Sequence, residues 1–253
     1  DVRGFTTLTE QLGPQGTVAL LNEYFTLMVD CIQHESGMLD KFIGDAIMAA
    51  FGIPVAHEDD ADKAVRAAIS MIETLNKWNL QRTTDGRLPV NIGIGLNTDT
   101  VVSGNIGSSK RMDFTIIGDG VNLAARLESA CKQYGSKILI SEFTMRKLKS
   151  TYRLREIDLV VVKGKTRPVA IYEVLSYHTR ESFPGIGEVM GLFKDGLAAY
   201  RARKWDIAIK LFSDCLAINP NDKPSKIYIE RAQFLRQTPP PDDWAGVWIM
   251  ESK

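Results

Sequence analysis

Apolar side chains in the first 175 residues of this 253-residue chain alternate between helical and strand spacing, which restricts the chain to a mixed fold. Residues 6–36 carry apolar side chains three and four positions apart after a polar turn at Gly13-Pro14, so we predict an amphipathic helix there. The same spacing returns in residues 64–75 and 121–134. With strands between these helices, the pattern predicts an α+β or α/β sandwich.

The segments between the helices contain short apolar runs that are typical of strands. Residues 38–51 form two such runs around Gly44-Asp45, a dipeptide that favours a hairpin turn. Residues 141–148 predict a short helix capped by Ser141. Further strands are predicted at residues 90–96, 113–117, 137–140, 152–162 and 167–175.

Two pairs of glycines near the predicted strands need an interpretation. A phosphate-binding loop would have a lysine directly after its last glycine, and neither pair has one. We therefore interpret these glycines as turn residues. They are Gly93, Gly95, Gly104 and Gly107.

Acidic residues gather just before the helix predicted at residues 64–75. They would lie at its positive N-terminal end, where carboxylates are stabilised. A calcium-binding loop is the alternative, but the spacing lacks the glycine and the distal glutamate of such a loop. We therefore predict that these acids cap the helix. They are Glu58, Asp59, Asp60 and Asp62.

After residue 176 the spacing is helical throughout. Residues 190–203 and 205–218 predict two adjacent helices that resemble one tetratricopeptide unit, and residues 225–235 predict a third helix. Because a single unit cannot bury its own apolar face, we expect these helices to pack on the preceding domain and to offer a binding site for a protein partner. We divide the chain into a catalytic-size domain at 1–178, a helical extension at 186–238 and a tail at 239–253.

Charge and composition exclude several classes of partner. The 31 Lys and Arg residues balance 31 Asp and Glu residues, so no bulk positive charge attracts nucleic acid or an anionic membrane. The longest nearly apolar run, residues 46–56, falls well short of the ~17 residues of a membrane span, so we expect none. The three cysteines form no paired motif and no signal peptide is evident, which predicts a reduced, cytoplasmic protein.

Three motifs occur together: DVRGFT at residues 1–6, KFIGD at residues 41–45 and TIIGDGVNLAARLE at residues 115–128. In order and spacing they resemble the signature of the class III nucleotidyl cyclase catalytic domain, and the soluble, bicarbonate-responsive adenylyl cyclases are most similar. The resemblance implies a ferredoxin-like, palm-type α/β sandwich that works as a homodimer, with active sites at the subunit interface, and that converts ATP to 3′,5′-cyclic AMP. Because the chain starts inside the first motif, we expect it to be truncated at its N-terminus.

Carboxylates in the first two motifs are candidate metal ligands. Cyclisation builds negative charge on the attacking 3′-oxygen and on the leaving pyrophosphate, and two divalent cations offset that charge. Asp1 and Asp45 suit two Mg²⁺ ions, or Mn²⁺, or Ca²⁺ at one site, if strand pairing brings them together, and the resemblance adds the Val2 carbonyl. The alternative interpretation, for each residue taken alone, is that Asp1 is a loose N-terminal acid and that Asp45 is an ordinary turn aspartate.

The residues after Asp1 are candidates for binding the triphosphate. Gly4, Phe5 and Thr6 would open a helix whose free backbone N–H groups face the phosphates, and glycine permits a close approach. Ordinary helix capping by Thr6 or Thr7 explains the same residues.

The third motif supplies an amide and a guanidinium. Asn122 and Arg126 lie four residues apart, on one face of a helix. The resemblance implies that Arg126 contacts the α-phosphate in the transition state, that Asn122 positions the ribose and that Lys163 contacts the outgoing phosphates. A solvated helix face and an exposed hairpin lysine are the alternatives. Asn91 stands where some family members have a phosphate-binding arginine, and Lys163 or Arg3 is a candidate to compensate.

Hydrogen-bonding capacity favours adenine as the base. Lys41 carries donors only, which suit the N1 acceptor of adenine and oppose the N1 donor of guanine. Thr115 accepts from the adenine N6 amino group, but a hydroxyl also donates, so most of the selectivity for ATP should come from Lys41. The Lys41–Thr115 pair is also the form seen in the bicarbonate-responsive branch, and we therefore expect stimulation by bicarbonate.

Two other functions remain open from the sequence. One is a guanylyl cyclase. The other is an inactive cyclase-like dimerisation module whose helical tail recruits a partner, although the chain retains every expected type of metal, base and transition-state residue.

Overall fold

The computed structural model describes residues 1–161 and 168–247, and within these ranges the chain forms seven α-helices and eight β-strands. The α+β fold with C-terminal helices is therefore confirmed. In chain order the elements are α1 (Phe5–His34), β1 (Met38–Ile43), β2 (Ala46–Ala50), α2 (Asp60–Thr84), β3 (Ile94–Leu96), β4 (Val102–Ser108), β5 (Arg111–Ile117), α3 (Asp119–Tyr134), β6 (Ile138–Ser141), α4 (Glu142–Met145), β7 (Leu154–Val160), β8 (Val169–Val174), α5 (Ile186–Arg201), α6 (Trp205–Ile218) and α7 (Lys223–Gln237).

The chain divides into two compact units. The first consists of residues 1–132 and 136–152, and the second consists of residues 133–135 and the chain from residue 153 onwards. The domain boundaries at residues 178 and 186 rest on the sequence pattern alone. They stay a prediction.

Helix α1 bends where the sequence predicted a turn. Gly13 has the non-helical dihedral angles φ 67° and ψ 177°, and Pro14 follows it. The helix nevertheless begins earlier than the predicted turn, at Phe5, so the residues before Gly13 are helical as well. The longer second part packs against α2 with a buried face that includes Tyr24 and Met28.

Two hairpins carry the second motif and the start of the third. Strands β1 and β2 are antiparallel and joined by Gly44-Asp45, with φ 63° at Gly44, as the sequence predicted. Strands β4 and β5 pair from Val102 opposite Ile117 to the end of the hairpin. Gly104 and Gly107 lie inside β4, so their interpretation as turn residues was wrong. Strand β4 is mostly exposed and therefore lacks the apolar alternation that reveals a strand.

The interpretation of Gly95 as a turn residue was also wrong. Gly95 lies in β3, which pairs in parallel with β6. A Cβ atom on Gly95 would overlap the backbone of Ala124 and of Glu128 in α3. The glycine is therefore required because helix α3 crosses directly over the strand.

Replacing Gly95 with alanine is expected to lower the stability of the fold by about 3 kcal/mol, since two backbone segments would have to separate to admit the methyl group. Gly104→Ala is the matched control, because no described atom lies within 4 Å of the position that its Cβ atom would take. Thermal unfolding followed by circular dichroism measures both. Equal melting temperatures for the two variants would contradict the close packing of α3 on β3.

The acids lie at the N-terminal end of α2, as the sequence predicted, with Asp60 and Asp62 in its first turn. Asp59 occupies the N-cap position, but its carboxylate accepts no capping hydrogen bond. Asp62 is buried and instead accepts hydrogen bonds from the backbone N–H groups of Lys149 and Ser150, each at 2.9 Å, and from the Tyr152 hydroxyl. Burial alone would raise the pKa of Asp62, but these hydrogen bonds lower it. The aspartate thus anchors a distant loop to α2.

The second unit joins the C-terminal helices to the antiparallel pair of β7 and β8. The Tyr228 hydroxyl in α7 donates to the backbone carbonyl of Ile157, at 2.8 Å. Arg231, also in α7, pairs with Asp158 at 2.5 Å. Because Ile157 and Asp158 lie in β7, the helices pack on a strand that we had assigned to the catalytic domain, as expected for a repeat unit without neighbours.

A second buried ion pair strengthens the same unit. Arg155 in β7 binds Glu173 in β8 at 2.6 Å and Asp222 at 2.8 Å, and all three side chains are buried. Burial alone would lower the pKa of Arg155, but the two carboxylates raise it.

Among the described residues, no helix is long and apolar enough to cross a lipid bilayer.

Candidate active site

The first motif forms a short antiparallel bridge with the segment that leads into β3. The Arg3 N–H donates to the Asn91 carbonyl at 2.7 Å, and the Gly93 N–H donates to the Asp1 carbonyl at 3.0 Å. Val2 lies opposite Ile92 between these two bonds. In this geometry the N–H and C=O groups of Val2 itself point away from the partner strand. The Val2 carbonyl can therefore face a ligand, as its predicted role as an additional metal ligand requires.

Asp45 lies half-buried in the turn after β1, close enough to interact electrostatically with Asp1. Burial raises the pKa of the Tyr24 hydroxyl, and the charges of Asp45 and Glu128 raise it further. Asp45, Asp1 and Tyr24 therefore share one region of the first unit.

The oxygen donors of this region fit magnesium. Asp1 and Asp45 supply carboxylates and Val2 supplies a carbonyl, and hard oxygen ligands are the ones that Mg²⁺ prefers. Within residues 1–161 and 168–247, no group of three or more His, Cys, Asp and Glu side chains is arranged to hold a metal ion. Magnesium bound here would complete its coordination with phosphate and water oxygens, which is its usual behaviour in nucleotide sites.

Arg3 is not available to replace the arginine that is missing at Asn91. Its Nη2 atom donates to the backbone carbonyl of Glu128 at 2.6 Å and forms an ion pair with the Glu128 carboxylate at 2.8 Å. The guanidinium also fills the space beside Gly93, where a Cβ atom would overlap it. Arg3 thus ties the first motif to α3 rather than to a phosphate.

The N-terminus of α1 has the features of a phosphate-binding helix start. Gly4 occupies the N-cap position in the left-handed conformation, with φ 67°, and makes no side-chain cap. No described atom lies within 4 Å of a Cβ built on it. The first turn carries no acidic residue, and the N–H groups of Phe5 and Thr6 precede the first intrahelical bond, from Leu8 to Gly4. Capping by the Thr6 side chain therefore does not account for this helix start.

Asn122 and Arg126 project from one face of α3, as their spacing predicted. Both residues are exposed, and within the described ranges neither side chain has a hydrogen-bond or ion-pair partner. An exposed guanidinium without a carboxylate partner is free to bind an anion. Lys163 lies outside the described residues.

Lys41 and Thr115 lie together, although 74 residues separate them in the sequence. A third residue, Asp40, links them. The Thr115 hydroxyl donates to the Asp40 Oδ2 atom at 2.9 Å, and the Lys41 ammonium lies 3.5 Å from the same oxygen. The Asp40 side chain is fully buried, while the Lys41 side chain is 42% exposed. The two residues that the sequence predicts to recognise the base thus belong to a group of three.

A β-bulge explains why Asp40 and Lys41 act together. Leu39 pairs with Ala49 and Lys41 pairs with Met48, so Asp40 is an extra residue in β1. In a regular strand, consecutive side chains point to opposite faces, whereas a bulge redirects a side chain. Sequence reasoning missed Asp40 because a bulge has no local signature here. The only signal was an aspartate within a predicted strand, where this residue is unfavourable.

A mostly apolar cavity of about 1020 Å³ opens among β2, α2, β3 and α3. Its lining includes Asp1 and Glu128 but not Asp45, Lys41 or Thr115. This cavity therefore does not gather the polar residues of the candidate site.

Comparisons with known proteins agree with this fold. The adenylate and guanylate cyclase catalytic domain family matches residues 1–176, and the chain belongs to that family. A Dictyostelium discoideum protein, adenylate cyclase, terminal-differentiation specific, is 36% identical over 237 residues, which cover 91% of this chain and 11% of that protein. The chain therefore spans about a tenth of the length of this relative.

Solved structures of both kinds of cyclase are similar. The adenylyl cyclase CyaB from P. aeruginosa has a TM-score of 0.64 and 39% identity, over 72% of this chain and 92% of that one. The guanylyl cyclase Cya2 has a TM-score of 0.63 and 41% identity, over 69% of this chain and 87% of that one. The palm-type fold of the class III cyclases is confirmed by these matches, and the choice of nucleotide has to be argued from the site.

Proposed function

We propose that this chain is an adenylyl cyclase catalytic domain, which converts ATP to 3′,5′-cyclic AMP and pyrophosphate. The observation that carries the proposal is the group formed by Lys41, Thr115 and Asp40. In this group Lys41 would donate to adenine N1 and the neighbouring hydroxyl of Thr115 would accept from the N6 amino group. Guanine would present a donor to Lys41, and the same pair therefore opposes GTP.

The metal and phosphate contacts follow from the other two motifs. Asp1, Asp45 and the Val2 carbonyl would hold the divalent cations, which offset charge on the attacking and leaving oxygens. The N–H groups of Phe5 and Thr6, which the left-handed Gly4 leaves exposed, would bind the triphosphate. Arg126 would stabilise charge on the α-phosphate and Asn122 would orient the ribose. We assign the outgoing phosphates to Lys163.

A homodimer is the assembly that we propose, with each active site shared by two chains. Arg126 and Asn122 are exposed and have no partner among the described residues of one chain, as expected for groups that complete a site across an interface. The β4–β5 hairpin also exposes large apolar side chains. They lie on both faces of the hairpin, because consecutive strand residues alternate, and exposed apolar side chains favour association with another chain. The residues are Val102, Ile106, Met112, Phe114 and Ile117, which are between 38% and 64% exposed.

Product analysis tests this proposal. The purified chain is incubated with Mg-ATP at several protein concentrations, and the nucleotide product is identified by mass spectrometry. We expect cyclic AMP, with a specific activity that rises with protein concentration until the dimer is saturated. Cyclic GMP formed from Mg-GTP, with no product from ATP, would favour a guanylyl cyclase. No product from either triphosphate would favour an inactive dimerisation module with the helical extension at 186–238 as its partner-binding part.

Bicarbonate is expected to raise kcat by about twofold or more and to change KM less. A small anion needs a positive field, and we assign that field to Arg126, Lys41 and Lys163. The assay compares bicarbonate with chloride at fixed pH and ionic strength and at saturating Mg-ATP, since chloride reproduces any general salt effect. Equal kcat values in the two anions would remove bicarbonate from the proposal and leave the cyclase assignment unchanged.

A further inference from the structure

We propose that Asp40 determines nucleotide specificity by fixing the hydroxyl of Thr115 as a hydrogen-bond acceptor for the base. The inference rests on the proposed function, because it assigns a positioning residue to the same adenine site. A threonine hydroxyl both donates and accepts, so Thr115 alone could pair with the N6 amino group of adenine or with the O6 atom of guanine.

The contact with Asp40 removes this ambiguity. A carboxylate has no proton to donate, so the 2.9 Å hydrogen bond between Thr115 and Asp40 requires the hydroxyl proton to point at Asp40. The lone pairs of Thr115 Oγ1 are then the only part of the hydroxyl left for a ligand. They suit the N6 donor of adenine and repel the O6 acceptor of guanine.

Burial and charge hold Asp40 in this role. The side chain of Asp40 is fully buried, and its Oδ1 atom accepts no hydrogen bond from any described residue. The Thr115 hydroxyl and the Lys41 ammonium are the groups that contact its other oxygen, Oδ2. A buried carboxylate with so few partners interacts strongly with each of them. Asp40 therefore directs a cation and an acceptor toward one base from a position that the base itself need not touch.

The hairpin opposite leaves room for that base. Thr115 in β5 pairs with Gly104 in β4, and directly opposed residues project to the same face of a sheet. Gly104 has no side chain, and no described atom lies within 4 Å of a Cβ built on it. The space beside Gly104, opposite Thr115, is therefore free of described protein atoms within one chain, while Thr115 itself is buried and only 7% exposed.

Asp40→Asn tests the inference with a change of nearly equal size. The amide can donate to Thr115, which frees the hydroxyl proton to point at the ligand. We expect kcat/KM for ATP to fall about tenfold, the equivalent of one good hydrogen bond, and kcat/KM for GTP to stay equal or rise. Asp30→Asn, which changes an exposed aspartate in α1, is the control and should leave both values unchanged.

A substrate analogue separates this role from a merely structural one. Purine riboside triphosphate keeps the N1 acceptor of ATP but lacks the N6 amino group. We expect Asp40→Asn to reduce kcat/KM for ATP about tenfold more than for the analogue, because the analogue never uses Thr115 as an acceptor. In a Thr115→Val background, which has no hydroxyl to orient, this difference should disappear.

Equal losses for ATP and for the analogue in Asp40→Asn would overturn the inference, and so would a difference that persists in the Thr115→Val background. If Asp40→Asn does not fold, Thr115→Val alone must abolish the preference for ATP over the analogue, or the inference fails. A wild-type chain without activity on ATP would instead overturn the proposed function and this inference with it.

Discussion

Asp45→Asn is expected to reduce ATP cyclisation roughly a thousandfold, about 4 kcal/mol in the transition state, and to leave the melting temperature unchanged. Asparagine keeps the shape of the side chain but loses the charge that a divalent cation requires. The fold should tolerate it, because Asp45 occupies a two-residue hairpin turn and asparagine is favoured in turns. Loss of activity would then report on metal binding and not on folding.

Two measurements on the same variant separate these causes. Thermal unfolding establishes that the variant folds, and turnover at increasing Mg²⁺ or Mn²⁺ shows how far the metal can compensate. Asp195→Asn, which removes the charge of an exposed aspartate in α5, is the matched control and should retain wild-type activity. Full activity in Asp45→Asn at ordinary Mg²⁺ would show that Asp45 does not bind the catalytic metal.

Mixing two inactive variants is expected to restore about a quarter of the wild-type activity. Asp45→Asn and Arg126→Ala should each be inactive as homodimers, since each lacks one essential group in both sites. In a heterodimer, one composite site combines both defects and the other has neither. With random exchange of equal amounts, about half of the dimers are heterodimers and each has one intact site out of two.

The control for the mixing experiment is subunit exchange itself. Differently labelled chains establish that heterodimers form, and a mixture of two samples of Asp45→Asn should stay inactive. If heterodimers form and remain inactive, the two residues belong to one site within a single chain. The exposed position of Arg126 on α3, without a partner among the described residues, would then need another explanation.

Features that depend on local chemistry could be predicted from the sequence. The turn at Gly44-Asp45 follows from the dipeptide itself, and the Ser141 cap is confirmed by its hydrogen bond from the Thr144 N–H. The one-face arrangement of Asn122 and Arg126 follows from helical geometry. Each of these predictions needs only residues that are neighbours in the sequence.

Features that depend on distant packing could not be predicted. Only glycine fits at position 95, because α3 crosses β3 there. The residues next to Gly95 in the sequence do not indicate that contact. The sequence alone makes Arg3 a candidate phosphate ligand. In the structure Arg3 instead binds Glu128, 125 residues away. Asp40 enters the base site through a bulge in β1, which shifts the register that simple alternation assumes. In all three cases the missing information is a tertiary contact.

The ratio of kcat/KM for ATP to kcat/KM for GTP, measured on the purified wild-type chain with saturating Mg²⁺, tests the central claim most directly. Lys41 and an acceptor Thr115 each contribute a hydrogen bond to adenine that guanine cannot make, so we predict a ratio of about a hundred or more. A ratio of one or less would contradict the account, because the base site described above would then not select adenine.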